Sequence, residues 1–400
     1  MCNDSSGRFL SSVITWNRNM KVMPYVLLGA VALIVGTVVA IMTLINGHDT
    51  MFNLSPEVPW GLLIASYAFF VLTASGLAFI GGVGHAFGNS AYLKINRRIV
   101  VMAFAVLLAG FTQIGMELGH PLRLAWYMLV SPNFSAPITW MGVLYSIELL
   151  ILALELYLVL KPNPTEKDHR NSAIIGSCAM VFGVLAAATL GFVFGSNTAR
   201  PFFHGSYFST FFVVSGITAG AAMLLFVHNL IYWGRIPSSL SSTMSSLGKL
   251  MATGIGVMGF LYLWKILATI YSPAADGGYA AVRELLSGSL SINFWGGELF
   301  LAVVLPLLLV LITKAQSMKT LGLAGFLYII GFFFTKYDFI IAGQVPAGGD
   351  DLIGSGINRM ADFQAYVPAT GEWMIMLMGC GVFFTLYFLA EKVLVLEKES

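Results

Sequence analysis

The stretch PWGLLIASYAFFVLTASGLAFIGGVGH, residues 59–85, contains no Asp, Glu, Lys or Arg. An α-helix needs about 20 apolar residues to cross the hydrocarbon core of a bilayer, and this stretch supplies them. Pro59 suits the first turn of such a helix, because the N–H that proline lacks would have no partner there. The stretch therefore predicts a transmembrane helix that begins close to residue 59.

Nine similar apolar runs lie on either side of this stretch. Together they predict ten membrane-spanning helices, at residues 22–45, 59–85, 98–116, 138–160, 174–195, 207–232, 249–271, 294–313, 320–341 and 372–392. The composition agrees, since 58% of the 400 residues are hydrophobic and 10% are charged, whereas soluble domains are about 45–50% apolar and about 25% charged. We expect residues 1–400 to form a single all-α integral membrane domain, not a secreted domain, a nucleic-acid-binding protein or a disordered chain.

Lysines and arginines are distributed unevenly between the predicted loops. Fifteen of the 21 fall on the side that carries the N-terminus, and five, including Lys336, fall on the opposite side. Because loops rich in Lys and Arg stay in the cytoplasm, both termini are expected there. The chain is then a multi-pass protein of a prokaryotic cytoplasmic (inner) membrane. The long connection at residues 342–371 is expected to be a surface loop on the outer side.

The three cysteines, Cys2, Cys178 and Cys380, are far apart in the sequence. They form no Cys-x-x-Cys motif and no cluster with histidines, whereas an iron–sulfur cluster needs four protein ligands. A structural zinc site needs a similar set of ligands. We therefore expect neither a metal site nor an iron–sulfur cluster in this chain.

The chain has six histidines, so haem is a further cofactor to consider. A single b-type haem needs two axial histidines that face each other at the same depth. His85 and His228 both lie near the cytoplasmic ends of their predicted helices, and His120 and His204 lie in outer loops. Haem is not expected from so few histidines, but a haem between His85 and His228 stays open as an alternative.

Two carboxylates, Glu148 and Glu155, lie inside the fourth predicted helix. Ionisable groups inside a membrane are costly unless they are paired or hydrated, so they are candidates for function. Seven residues separate the two, which puts them on one face of the helix about 10 Å apart. A proton path from mid-membrane toward the cytoplasm is one interpretation. The alternative is structural: both bind hydroxyls or amides in the bundle, or Glu155 extends to the surface.

Lys265 in the seventh predicted helix and Glu298 in the eighth lie at a similar depth below the outer ends of their helices. Adjacent helices that run in opposite directions would bring the two side chains together. We therefore expect a buried ion pair. This pair could belong to a proton path or be a structural salt bridge.

The outer ends of helices three and five combine charged, histidine and aromatic residues. Their notable members are Glu117, His120, Arg123, Trp126, Arg200 and His204. Such groups could hydrogen-bond the carbonyl oxygens of a lipid-soluble headgroup while aromatic side chains stack on its ring. The alternative is anchoring at the membrane interface, where Trp, Tyr, Arg and His are common.

Four short motifs occur in order between helices two and six. They are Pro59-Trp60-Gly61, Glu117-Leu118-Gly119-His120-Pro121, Pro137-Ile138-Thr139-Trp140-Met141-Gly142 and Ala199-Arg200-Pro201-Phe202-Phe203. With them the chain resembles the NrfD/PsrC family of polysulfide reductase membrane subunits, whose corresponding motifs are PWG, DLGRP, PMSWG and ARPxW. In the second half, Phe294-Trp295 followed by Glu298 and Pro306 is similar, more loosely, to the ten-helix branch of the family with its DsrP-like and HybB-like anchors.

The resemblance implies a core of two four-helix bundles, at residues 59–195 and 207–341, with a peripheral helix at each end. It also implies a quinone pocket near the outer face of the first bundle, beside a ferredoxin-like iron–sulfur subunit in the periplasm. Two positions depart from the family pattern. Glu117 stands where Asp is usual, which keeps a carboxylate there, and His120 stands where Arg is usual.

We therefore predict a subunit of a respiratory oxidoreductase complex that exchanges electrons between menaquinol or ubiquinol and its iron–sulfur partner, with further catalytic or cytochrome subunits. Quinone chemistry moves protons together with electrons, so a carboxylate or imidazole is needed beside the headgroup. Glu117 and His120 would exchange those protons. The quinone-binding residues would be Trp60, Arg123, Trp126, Arg200 and His204, and the proton path would use Glu148, Glu155, Lys265 and Glu298.

Two other functions stay open on the sequence alone. A secondary transporter coupled to protons or ions would suit the mid-helix carboxylates, with Lys265 and Glu298 as its coupling pair. The sequence lacks the paired broken helices that favour such a transporter. A purely structural membrane anchor for a partner subunit is the other alternative.

Overall fold

The computed structural model describes residues 21–56, 58–119, 123, 126, 130–271, 278–345, 366–394 and 396. Within them the chain forms ten helices that are long and apolar enough to cross a bilayer, which confirms the predicted all-α integral membrane fold. The helices are α1 (Met23–Asn46), α2 (Leu62–Phe87), α3 (Asn96–Glu117), α4 (Pro137–Val159), α5 (Glu166–Gly195), α6 (Tyr207–Ile231), α7 (Ser241–Tyr271), α8 (Asn293–Ile312), α9 (Met318–Ala342) and α10 (Thr370–Val393). Short helices at His48–Met51, Ser90–Leu93 and Tyr279–Ser287 lie in the connections.

Contacts between the helices divide them into three groups. Helices α2 to α5 pack as one four-helix bundle and α6 to α9 as a second, while α1 and α10 pair with each other, and α10 packs against α3. Consecutive helices run in opposite directions, so α1 begins and α10 ends at the same end of the molecule, here called the near end. The opposite end, which holds Asn46 and Glu117, is called the far end.

Two helices begin about two turns before their predicted first residue. The apolar run of α5 starts at residue 174, but the helix starts at Glu166 because Thr165 caps it. The Thr165 side chain accepts the backbone N–H of Asp168, and the Asp168 carboxylate accepts the N–H of Thr165, which is a capping box. Helix α7 likewise begins at Ser241 instead of residue 249. Apolar runs miss such polar first turns.

The two bundles meet where α2 crosses α6. A Cβ atom on Gly76 would lie 1.8 Å from the carbonyl oxygen of Gly216, and one on Gly220 would lie 2.5 Å from the carbonyl carbon of Gly76. Only residues without a side chain allow two helix backbones to approach this closely. The glycines therefore determine the distance between the bundles.

Helix α8 is unusual in its hydrogen bonding. Residues Asn293–Val304 form a π-helix, and Leu305–Ile312 continue as an α-helix with Pro306 in its first turn. Because the helix is continuous, Pro306 leaves an earlier carbonyl group without its usual donor, and membrane helices tolerate such a proline where neighbouring groups or local π turns satisfy that carbonyl. Wide π turns are rare and occur often at functional sites. The stretch contains Glu298, one of the predicted proton-path residues.

Lys336 differs from its expected place. It was counted with the loops of the outer side, but it lies inside α9 with no exposed surface. A lysine near a helix end normally extends to the interface, and nothing in its sequence neighbourhood distinguishes this one from such a residue. Its charge therefore does not bear on the orientation of the chain.

Candidate functional site

The N–H groups of Trp60, Gly61 and Leu62, where the chain enters α2, lie at the far end of the first bundle. Such groups have no partner within the helix and must find acceptors elsewhere. The N–H of Trp60 is bound by Gln344 Oε1 at 2.9 Å, and the N–H of Leu62 by the Tyr366 hydroxyl at 2.9 Å. The Glu117 carboxylate accepts the N–H of Gly61. The Pro-Trp-Gly motif thus collects three side chains from distant parts of the chain.

Two carboxylates lie at this point, and they differ in how completely they are bound. Glu372 accepts the Tyr366 hydroxyl, the N–H of Ala369 at 2.8 Å and the N–H of Asn53 at 3.1 Å. Glu117 lies beside it, and its buried Oε2 has no hydrogen-bond partner among the described residues. Glu372 therefore has a structural role at the start of α10, whereas Glu117 keeps an acceptor for another group.

Aromatic rings form one side of this site. The Trp60 ring lies edge-on to Phe194, with centroids 5.6 Å apart, and 6.1 Å from Phe203. Phe203 packs on Phe339 of α9 at 4.9 Å. The Arg200 guanidinium donates to the backbone carbonyl of Gln344. The Ala-Arg-Pro-Phe-Phe motif is thereby held against the start of α2.

The structure brings together three of the predicted outer-site residues. Gln344 contacts both Trp60 and Arg200, and Glu117 binds the N–H of Gly61 beside Trp60. Arg123, Trp126 and His204 are exposed, Trp126 by 64%, so they do not belong to the buried cluster. His120 lies outside the described residues.

Gln344, Tyr366 and Glu372 complete the site and were missed from the sequence. The connection at 342–371 was expected to be a surface loop, yet Gln344 at one described end is fully buried and Tyr366 at the other is 8% exposed. Glu372 is the first residue of the apolar run 372–392, and nothing in that run indicates its role. A buried Gln or Tyr carries no local sequence signal, because its burial comes from a contact with residues about 300 positions away.

A second polar site lies deeper in the first bundle. Glu148 has no exposed surface, and its Oε2 accepts the Ser75 hydroxyl at 3.0 Å. The rings of Tyr67 and Tyr145 lie next to it, 6.1 Å from each other. Glu148 Oε1 has no partner among the described residues. Unsatisfied buried polar atoms of this kind are rare in native proteins and often mark water, ion or proton sites.

Glu155 lies at the near end of the same helix. It is 2% exposed, 3.4 Å from His85 Nε2 and 3.3 Å from the Asn96 amide. The Asn96 amide nitrogen also contacts His85 Nε2 at 2.9 Å. A cavity of about 320 Å³ opens beside them and is lined by His85, Lys94, Asn96, Arg97, Asp168 and His169. Glu155 is therefore connected to the near-end surface through His85.

The prediction that Glu298 forms its ion pair with Lys265 is wrong. Lys336 of α9, not Lys265 of α7, is the cation that interacts with the Glu298 carboxylate. The Lys265 ammonium lies over the Phe202 ring, 5.7 Å from its centroid. Regular α-helical rise puts Lys265 and Glu298 at a similar depth, but it does not determine which helix packs against α8. The π-helical segment and the contact of α8 with α9 direct Glu298 toward that helix.

The two histidines considered for haem take part in different contacts. His85 joins Asn96 and Glu155. His228 is fully buried, and its Nδ1 is 2.7 Å from the carbonyl oxygen of Leu224. Its ring stacks on Tyr232 with centroids 6.4 Å apart. Among the described residues, no group of three or more His, Cys, Asp or Glu side chains is arranged to hold a metal ion.

Comparison with known proteins relates most of the chain to one family. The family model for polysulphide reductase, NrfD, matches residues 50–347. A selenate reductase subunit of Mesobacillus selenatarsenatis is 24% identical over 388 residues, which cover 88% of this chain and 89% of that protein. The Hdr-like menaquinol oxidoreductase integral membrane subunit of Archaeoglobus fulgidus is 23% identical over 357 residues, 87% of each chain.

Proposed function

The chain belongs to the polysulphide reductase NrfD family, and from this membership we propose that it is the quinone-interacting membrane subunit of a redox complex. It exchanges electrons between a quinol and a partner subunit. Two similar proteins carry the names of a reductase subunit and of a menaquinol oxidoreductase membrane subunit, which supports membership in such a complex. Menaquinol or ubiquinol is the proposed substrate.

The observation that carries this proposal is the free oxygen of Glu117 at the far end, on a carboxylate that binds the N–H of Gly61, the residue after Trp60. A quinol that gives up two electrons also gives up two protons, so it needs an acceptor beside its hydroxyl group. Glu117 Oε2 is buried and without a partner among the described residues, as such an acceptor must be before the quinol binds. Trp60 would pack against the quinone ring, and Arg200 would stabilise negative charge on its oxygen.

The other predicted binding residues have more distant roles in this proposal. His120 follows Glu117 by three positions and remains a second proton acceptor. Arg123, Trp126 and His204 are exposed, so they would surround the opening through which the headgroup enters from the bilayer.

We propose that the far end faces the periplasm and binds an iron–sulfur subunit of the ferredoxin type. The excess of Lys and Arg in the near-end loops supports this orientation, with both termini in the cytoplasm of a prokaryote. A partner at the far end would lie beside Glu117 and Trp60, where the quinol releases its electrons. Further catalytic or cytochrome subunits would complete the complex.

Binding of a quinone to the purified chain tests the proposal. We expect a short-chain menaquinone or ubiquinone to quench tryptophan fluorescence of the protein in lipid nanodiscs. Glu117→Gln keeps an acceptor for the N–H of Gly61 but removes the charge, and a hydrogen bond to a charged group contributes about 1.5–3 kcal/mol. Binding of the quinol form should therefore weaken about 10-fold to 100-fold.

Glu166→Gln is the matched control, because Glu166 is an exposed acid at the near end. It should bind as the native chain does. A transporter without redox chemistry, or a purely structural anchor, would bind neither quinone. Native affinity in both Glu117→Gln and Arg200→Gln would contradict the proposed site even if the protein binds quinone elsewhere.

We further propose a proton path through the first bundle to the near end. It would run from the 320 Å³ cavity through His85 and Glu155 to Glu148, with Ser75 as a hydrogen-bonding partner. Glu148 and Glu155 are about 10 Å apart along α4, so water molecules would have to connect them. Glu298 and Lys265 were predicted for the same path, but Glu298 lies in the second bundle at a separate site, and no observation assigns Lys265 a step.

Proton counting in vesicles that contain the whole complex tests this path. With Glu148→Gln or Glu155→Gln, we expect quinol-driven electron transfer to continue while proton uptake from the near side is lost. The Glu166→Gln complex should translocate protons normally. If proton movement is the same in all three variants, the path is incorrect.

A further inference from the structure

The second bundle repeats a polar pattern of the first. Tyr67, Ser75 and Gly76 of α2 have the same spacing as Tyr207, Ser215 and Gly216 of α6. The two glycines are the residues at which α2 and α6 cross, since a Cβ on Gly76 would meet the carbonyl of Gly216. The third helix of each bundle carries a buried glutamate, Glu148 on α4 and Glu298 on α8. These correspondences relate the surroundings of Glu298 to those of Glu148.

In each bundle the serine contacts a buried ionisable group. Ser75 donates to Glu148 at 3.0 Å, and Ser215 accepts from the Lys336 ammonium at 3.1 Å. Tyr67 lies beside Glu148, and Tyr207 beside Glu298. The second bundle differs because α9 adds two charged residues, Lys336 and Asp338, to the position next to its glutamate.

Glu298, Lys336 and Asp338 form a cluster that is closed to the lipid. Lys336 and Asp338 have no exposed surface and Glu298 has 4%. Tyr262 of α7 donates a hydrogen bond to Glu298. The aromatic rings of Phe211, Phe212 and Phe332 surround the Lys336 ammonium at 5.0, 4.3 and 4.7 Å, an arrangement that favours a cation.

The cluster has unused hydrogen-bonding capacity. Among the described residues, Glu298 Oε2 and the Tyr207 hydroxyl lack a hydrogen-bond partner, and the Asn293 amide is the side chain that hydrogen-bonds Asp338. The Lys336 ammonium balances one ionised carboxylate. A second ionised carboxylate in this low-dielectric site would be costly, so one of the two acids holds a proton.

A route to the far end leads from this cluster. A cavity of about 170 Å³ is lined by Asn293, Tyr337, Ile341 and Tyr366, and the Asn293 side chain lies beside Asp338. Asn293 and Glu298 are the first and sixth residues of the π-helical segment. This π-helical segment therefore carries both the buried Glu298 carboxyl group and the Asn293 amide that lines the cavity.

We propose that Glu298 and Asp338 form a proton-exchange site that is open to the far end. The one proton that the two acids share passes from Glu298 to Asp338, which leaves Glu298 as the carboxylate next to Lys336; Asp338 then releases the proton to water in the cavity, uptake runs in the reverse order, and no electron moves. Lys336, held by Ser215, supplies the counter-charge, while Tyr207 and Tyr262 face Glu298 and Tyr337 lies at Asp338. Coupling of this site to quinol oxidation rests on the proposed function, whereas proton exchange itself does not.

Chemical modification tests for the exchangeable proton. Dicyclohexylcarbodiimide reacts with protonated carboxyl groups in apolar surroundings, and mass spectrometry locates the product. In the native chain in lipid nanodiscs, we expect modification of Glu298 or Asp338 that decreases as the pH rises. If neither residue reacts at any pH, the cluster is a permanently ionised structural set and the proposal is wrong.

Two variants identify the role of the lysine. Lys336→Gln removes the counter-charge but keeps a donor for Ser215, so modification of Glu298 and Asp338 should increase while that of Glu148 stays as in the native chain. Glu166→Gln should leave all modification unchanged. A Lys336→Gln protein with native modification would contradict the cluster. None of these measurements involves a quinone, so their failure is distinct from failure of the proposed function.

Access from the far end is tested with thiol labelling. Asn293→Cys, in a chain whose own cysteines are replaced by serine, should react with a membrane-impermeant maleimide added to the far side of oriented vesicles. Thr335→Cys is the matched control, because Thr335 lies on α9 with 3% exposure and does not line the cavity. Equal labelling of both positions, or labelling of neither, would overturn the proposed route.

Discussion

Among single residues, the far-end site depends on side chains that bind the backbone. Gln344 is fully buried, and it accepts the N–H of Trp60 at 2.9 Å while it donates to the Trp60 carbonyl at 2.7 Å. Arg200 in turn donates to the Gln344 carbonyl. The position of Trp60 therefore depends on one amide side chain, which belongs to none of the motifs of the family pattern.

Replacing this amide should destabilise the protein and weaken quinone binding. Gln344→Ala leaves the N–H and C=O of Trp60 without partners, and each unsatisfied buried group costs about 1–3 kcal/mol. We expect the free energy of unfolding in detergent micelles to fall by about 2 kcal/mol or more. Equal stability of the alanine variant and the native chain would contradict this assignment.

The two carboxylates of the far-end site, Glu117 and Glu372, differ in how far the sequence indicates their roles. Glu117 was found from the sequence because it lies at a helix end within a recognisable motif. Glu372 was not, since nothing near it in the sequence distinguishes it from an interfacial acid. The difference in their roles comes from their partners: Glu372 binds three groups, whereas Glu117 has one oxygen left over.

Among the helices, the crossing of α2 and α6 determines how the two bundles fit together. Gly76, Gly216 and Gly220 form the contact, and the serines that precede the first two contact the buried charged groups of their own bundles. Small residues spaced in this way are common in membrane helices and have no functional meaning alone. Here these glycines matter because they lie at the point where α2 and α6 cross.

Adding a methyl group at this crossing should destabilise the protein. In Gly76→Ala the new Cβ would lie 1.8 Å from a backbone oxygen of α6, which cannot move without the helix. Overpacking of this kind costs about 1–3 kcal/mol, and thermal unfolding in micelles should show a loss in that range. Gly256→Ala is the control, because no atom lies within 4 Å of its added Cβ; it should not lower stability. Similar losses in both variants would show that the crossing is not tight.

In the molecule as a whole, one buried ion pair connects the peripheral helix α10 to the core at the near end. Arg98 of α3 binds both carboxylate oxygens of Glu391 of α10 through its Nε, at 3.1 and 3.2 Å, and donates to the Tyr232 hydroxyl at 2.7 Å. The pair is almost fully buried. It joins α10 to the first bundle and to the residue that follows α6.

Removing one partner of this pair should cost more than removing both. Glu391→Met leaves a buried cation without its carboxylate, and loss of one partner costs about 3–5 kcal/mol. The double variant Arg98→Met/Glu391→Met removes the charge as well, so it should be more stable than the single variant. Unfolding free energies in a double-mutant cycle measure this coupling. Purely additive losses would mean that the two side chains contribute independently.

The membrane class, the ten helices and the family could all be predicted from the amino-acid sequence. Each of these depends on features within a short stretch: an apolar run of helix length, or a motif such as Pro-Trp-Gly. The helix ends that were misplaced, at α5 and α7, are polar turns that apolar runs do not include. Several charged residues could be singled out because such groups are unusual in or beside apolar runs, namely Glu117, Arg200, Glu148, Glu155 and Glu298, whereas Trp60 was identified through its motif.

Which of these residues meet depends on the packing of the helices. Gln344 and Tyr366 reach the start of α2 across about 300 positions, Lys336 replaces Lys265 beside Glu298, and Asp338 joins them from the same helix, α9. Helix periodicity predicts the face on which a side chain lies, but not the helix that packs against that face. Backbone contacts at glycines and the π-helical segment of α8 determine which helices are neighbours. The function of a buried polar group depends on those neighbours, because packing decides which groups surround it.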